Sequence, residues 1–165
     1  MKRVLFLLLF LLPFAVIRAQ KPFTDYRKAG SAVPSFVLHK LSGGMISNKV
    51  LRSGKPFMFL IFSPQCDHCA KALDSLHRVP GLQPSLDLVL VTEARNKPFL
   101  ADFMKQHGFD TIAKYRTVGL DSGKLIQQIY NFGMLPQFSI YNAQHKFVRS
   151  FSGIFPLDSL KPYLR

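Results

Sequence analysis

Tryptophan is absent from this chain, cysteine occurs only twice, and glutamate only once, at Glu93. Two thiols exclude a disulfide-dense miniprotein, a four-thiolate zinc site and an iron–sulfur cluster held on four of the chain's own cysteines. Acids of either kind are scarce: nine Asp and Glu stand against 22 Lys and Arg, for a formal charge of +13. Such an excess serves nucleic-acid binding when the cations cluster, because affinity comes from displacing counterions along the phosphates. Here no basic run exceeds two residues, so a solvated basic surface is expected and no nucleic-acid partner. What is present is apolar material: 48% hydrophobic residues and 16 Phe in 165 positions, enough for the core of one domain.

The amino terminus has the parts of a secretory signal. Lys2 and Arg3 lead, an apolar run extends from Val4 to Ile17, and Ala19 offers a small cleavage residue. A spanning helix needs about 20 apolar residues; this run is shorter, is interrupted by Pro13 and ends at Arg18. The expectation is a signal peptide over 1–19, cut after Ala19, with membrane attachment only if the segment stays uncleaved. Residues 20–34 are polar and read as a flexible lead-in, and 35–165 as one domain.

Along that domain, Ser35–His39 reads as an edge strand and Ser42-Gly43-Gly44 as a turn. Phe57–Phe62 is continuously apolar, as a strand buried on both faces should be. Cys69, Leu73 and Leu76 recur at helical spacing, which predicts a helix from about Cys66 to Arg78, stopped by Pro80, Gly81 and Pro84. Leu86–Val91 is a second buried strand, and the order strand, helix, strand implies a parallel crossover. Asn96 as cap, Pro98 in the first turn and Gly108 as terminator frame a helix whose stripe is Phe99, Leu100, Phe103 and Met104. A short strand is expected over Tyr115–Val118. A helix capped by Asp121 or Ser122 follows, carrying Leu125, Ile126 and Ile129, with Gly133 beyond its end. After Pro136, Phe138–Tyr141 and Phe147–Phe151 form a hairpin, and Leu157–Leu164 a closing helix. The fold class is α/β, a central mixed sheet with helices on both faces.

The chemistry sits in Phe62-Ser63-Pro64-Gln65-Cys66-Asp67-His68-Cys69, where a buried strand gives way to a helix. A thiol at a helix amino terminus meets unpaired N–H groups and the positive end of the helix dipole, which favour its thiolate. Cys66 is therefore the candidate nucleophile, and Cys69, one turn on, the resolving thiol. A purely structural bridge is a weak reading, because a loop of two residues removes little entropy from the unfolded chain. Two thiolates with His107 or His145 could instead hold Cu(I) or zinc. A peroxiredoxin pattern is met by Ser63 but not by Phe59. His39, His77, His107 and His145 have no local partner pattern and read as surface or satisfied residues.

The strand, Cys-x-x-Cys, helix arrangement resembles the thioredoxin superfamily, and the element order extends the resemblance over roughly Ser35–Leu164. Met134-Leu135-Pro136-Gln137 falls where that family has a cis-proline loop. The resemblance implies a cis Pro136 and a Leu135 backbone able to pair with an extended substrate beside Cys66. The long stretch between Val91 and Pro136 implies a mid-chain insertion. With the exported start and an amino-terminal hairpin, it is similar to the extracytoplasmic, TlpA-like redoxins that handle disulfides in the bacterial cell envelope. Implied in turn are a thioredoxin-like fold, periplasmic or other extracytoplasmic placement and disulfide-containing envelope proteins as substrates. A membrane-bound electron donor is implied as well, but no bound cofactor or metal. The copper-delivering relatives space their cysteines by three residues, which leaves a metallochaperone and a non-catalytic binding module as alternatives.

Three positions depart from the family pattern. Gln65 replaces the tryptophan before the first cysteine, Leu60 takes the buried-acid position, and Ala72 stands where some envelope members carry an acid. Glu93, past the carboxyl end of a parallel strand, is the remaining candidate to relay the Cys69 proton. His68 resembles the histidine of the strongly oxidising members and favours a thiolate, whereas Asp67 opposes one. An intermediate potential is the expected outcome, and the resemblance to envelope redoxins with the longer middle segment implies a reductase or exchange role.

Overall fold

The computed structural model describes residues 25–108, 116–154 and 157–163. The signal expected over 1–19 lies outside these residues. Among the described residues, no helix is long and apolar enough to cross a membrane.

The strands are β1 (Val37–His39), β2 (Met45–Ser47), β3 (Phe57–Ile61), β4 (Asp87–Glu93), β5 (Arg116–Asp121), β6 (Gln137–Tyr141) and β7 (Phe147–Ser152). The helices are α1 (Asp67–His77), α2 (Leu82–Ser85), α3 (Lys97–Gln106) and α4 (Leu125–Tyr130), followed by a closing 3-10 segment at Leu157–Tyr163. All seven strands join one mixed sheet in the order β2-β1-β5-β4-β3-β6-β7. β3, β4 and β5 run parallel, and the remaining pairings are antiparallel.

Alternation along the central strands divides the core in two. Met58, Leu60 and Phe62, with Leu88, Leu90, Phe138 and Ile140, face α1 and α3 through Leu73, Leu76, Leu100 and Phe103. Phe57, Phe59 and Ile61, with Val89, Val91 and Tyr141, face α4 and the amino-terminal hairpin through Ile126, Tyr130, Phe36 and Leu38. Every β3 residue is buried, as its uninterrupted apolar run requires.

Several details differ from expectation. β1 is an interior strand: β2 flanks it on one side, and His39 pairs with Leu120 of β5 on the other. The mid-chain strand is responsible, since it runs on to Asp121 and reaches β1. Gly119 permits the approach, because a Cβ there would lie 2.6 Å from Leu38 Cδ1. Where it is described, the lead-in meets the β6–β7 hairpin. Gly30 and Val33 donate backbone hydrogen bonds to Phe147 and His145, and Ser31 accepts one from Phe147. Asn96 precedes α3 but caps nothing with its side chain; its amide donates to Thr92 Oγ1 at 2.8 Å. Asp121 does cap α4, accepting the Leu125 and Ile126 amides at 3.1 and 2.9 Å. The closing segment is 3-10 rather than α, and holds Pro162, which has no N–H to continue an α-helical ladder. Leu160 is its fully buried anchor.

Candidate active site

The chain leaves β3 through Ser63 and Pro64 and enters α1 with Cys66 as its amino-terminal cap. Cys66 has the extended backbone of such a cap (φ −116°, ψ 109°), and its carbonyl accepts the first helical bonds, from Cys69 and Ala70 at 2.9 and 3.1 Å. Its Sγ accepts the Cys69 N–H at 3.2 Å. A sulfur in this position shares the Cys69 N–H with the Cys66 carbonyl and meets the positive end of the dipole, both of which stabilise negative charge.

The same sulfur lies 4.0 Å from the Leu135 carbonyl oxygen, and the Leu135–Pro136 peptide is cis. Pro136 is buried and Leu135 half-buried, and the loop before β6 sets a backbone carbonyl beside the Cys66 sulfur. Gly153, just past β7, donates its N–H to Pro136 O at 2.8 Å and ties the loop to the next turn.

The two thiols are chemically unequal. Cys66 is half-buried, whereas Cys69 is sealed at 0% exposure among Leu60, Phe62 and Leu73. Burial, and then the hydrogen bond with the Cys66 thiol, push the Cys69 thiol well above the usual cysteine range. Cys66 is thus the more accessible sulfur, and Cys69 is held as a buried thiol.

The sequence-predicted residues divide accordingly. Cys66, Cys69, Leu135 and Pro136 come together. Asp67 and His68 are exposed on the first turn of α1. Asp67 there complements the helix dipole and so competes with the sulfur for it. His68 borders a cavity of about 280 Å³ shared with Lys71, Ser75 and Ile154. Glu93 does not join the pair: Arg95 holds its carboxylate at 2.8 Å, and the groups acting on the Cys69 thiol are Cys66 and local backbone. Leu60 and Ala72 are both at the apolar cluster around Cys69, as neutral as their identities require. The histidines weighed as metal ligands are engaged elsewhere, His107 Nδ1 on Asp74 at 2.7 Å and His145 Nε2 on Arg52 O at 3.2 Å. Among the described residues, no three His, Cys, Asp or Glu side chains gather to hold a metal ion. Sequence reasoning missed Gly153 and Ile154, whose one signal is a Ser-Gly pair ending a predicted strand.

This mixed sheet, with a Cys-x-x-Cys cap on α1 and a cis-proline loop opposite, is a thioredoxin-like fold. Solved structures carry the same architecture. A secreted Mycobacterium tuberculosis disulfide oxidoreductase, described as homologous to E. coli DsbE, superposes with a TM-score of 0.61 at 23% identity, over 78% of this chain and 93% of its own. StoA from Bacillus subtilis gives 0.59 at 21% identity, over 82% of this chain and 100% of its own. The thioredoxin domain of a Bacteroides vulgatus thiol-disulfide oxidoreductase gives 0.68 at 14% identity, over 84% and 99%. No family model matches the sequence, and no curated protein does.

Proposed function

We propose that this chain is an exported thiol-disulfide oxidoreductase that exchanges disulfides with cell-envelope proteins and works in the reducing direction. One observation carries the reading: an accessible sulfur caps α1, accepts an amide N–H at 3.2 Å and lies 4.0 Å from the carbonyl before a cis proline. The solved relatives with this fold include proteins described as disulfide oxidoreductases, one of them secreted.

The Cys66 thiolate attacks one sulfur of a substrate disulfide, forming a mixed disulfide and releasing the other sulfur as a thiolate that takes up a proton. Cys69 then gives up its proton and attacks Cys66 Sγ. The second substrate thiol leaves, and Cys66 and Cys69 are joined. Two electrons and two protons pass to the substrate, and a membrane-bound donor returns the pair to dithiol. The reducing direction is supported by the single amide donor on the Cys66 sulfur and by Asp67 beside it, which opposes the helix dipole's pull on that sulfur. Strong oxidants owe their potential to a stabilised reduced form.

Cys69→Ser is expected to accumulate partners covalently through Cys66, whereas Cys66→Ser captures none. Capture by Cys66→Ser alone would reverse the roles. Failure of the unmutated protein to reduce a mixed-disulfide probe with excess reductant would leave a binding module.

A further inference from the structure

The cavity beside His68 continues away from the thiols. Ser75 and Leu157 border it and also a second hollow of about 290 Å³ that reaches Arg78 and Lys161. Together they make a groove along the outer side of α1, lined on its other side by Gly153, Ile154, Leu157, Asp158 and Lys161. α1 has 11 residues and is therefore about 16 Å long, the reach of roughly five residues of extended chain.

The groove has an apolar floor and a cationic rim. Ala72, Val79 and Leu157 supply the floor, and Ile154, 88% exposed, stands at its mouth. Lys71 and Arg78 on the rim are exposed and have no acidic partner among the described residues. Lys161 is neutralised by Asp158 at 2.8 Å, and Asp74, in the middle of α1, is held by His107. Two cations without an ion pair thus flank an apolar trough that begins at His68, with Asp67 one turn before Lys71. A second copy of this chain would complement it poorly, with 22 basic residues against nine acidic.

We propose that the groove binds an acidic, extended segment of the partner protein, with an apolar side chain over Ile154 and Leu157 and carboxylates against Lys71 and Arg78. That the segment belongs to a disulfide partner rests on the exchange activity proposed above; the groove's selection of acidic chains does not. The contacts predict tighter binding of acidic segments, weakened by salt.

The test uses two fluorescein-labelled peptides without cysteine, each with a central leucine, one flanked by glutamates and the other by lysines. Fluorescence anisotropy should show the glutamate peptide binding at least about tenfold more tightly, with the margin shrinking as salt rises. The double variant Lys71→Glu, Arg78→Glu should abolish or reverse the preference, and Ile154→Ser should weaken binding without changing its salt dependence. Equal binding of the two peptides, or a preference that survives the double variant, would overturn the proposal. So would salt-sensitive self-association that the double variant removes, because it would give the groove to a second copy. Reaction with dithiodipyridine, an uncharged disulfide, on the same preparations separates the two ideas: its rate should be unchanged in the double variant. A wild-type protein inert to that reagent would strike the exchange reading while the peptide result still decides the groove.

Discussion

The two faces of the sheet are built from different materials. On the face toward α4, aromatic rings interlock: Phe59 meets Phe36 edge-on at 4.9 Å, Phe57 stacks on Tyr141 at 4.5 Å, and the Tyr130 and Tyr141 hydroxyls bond each other at 2.6 Å. On the face toward α1 the filling is mainly leucine, with Met58, Met104, the Cys69 thiol and three phenylalanines, Phe62, Phe103 and Phe138, and the groove opens on that side's outer layer. Rings that fix one another's orientation make the aromatic face a rigid backing. The leucine-rich face holds α1, with the two cysteines at its start. The difference teaches that stability and reactivity are assigned to opposite sides of β3, so substitutions on the two faces should have separable effects.

The largest effect is expected from Phe59→Ala. It removes a ring in contact with Phe36, Phe57, Tyr130 and Tyr141 and should cost about 3–5 kcal/mol in denaturant unfolding. In the fraction that stays folded, the rate of Cys66 alkylation should be unchanged. A matching loss of Cys66 reactivity in folded protein would show that the faces are not separable.

Next comes the buried tyrosine pair. Burial raises both phenols above their ordinary value of 10, with each hydroxyl coupled to the other. Since the folded state holds these protons more tightly than the unfolded chain, their contribution is complete below pH 10 and is lost as pH rises above it. Unfolding free energy should fall by about 1 kcal/mol or more per pH unit there. The double variant Tyr130→Phe, Tyr141→Phe should remove that slope, and an undiminished slope would assign it elsewhere.

The smallest change in stability, and the sharpest on the reactive side, is expected from Ala72→Glu. Ala72 lies three residues past Cys69, on the same side of α1. A carboxylate there supplies the proton acceptor that Leu60 and Ala72 deny. Release of the mixed disulfide should speed up by about tenfold or more, at under about 1 kcal/mol of stability. No change in that release would mean that deprotonation of Cys69 is not the slow event.

Much of this was legible in the sequence, for local reasons. The helix from Cys66 could be read because its cap, its Cys69-Leu73-Leu76 stripe and its Pro-Gly stop are all nearby in the chain. The cis state of Pro136 was not local information; it came only with the family resemblance. The interior position of β1 was unreadable, because it depends on Gly119 admitting Leu38 across some 80 residues of chain. The groove joins α1 to residues past β7, a pairing no spacing encodes. Asn96 misled because Thr92, four residues back, offered its amide a better partner in the core than the helix end did.

Competitive alkylation with iodoacetamide at neutral pH, read by mass spectrometry on the folded dithiol protein, addresses the inequality of the two thiols most directly. Cys66 is expected to be modified while Cys69 stays untouched until the protein unfolds. Modification of Cys69 first, or of both at one rate, would contradict the account.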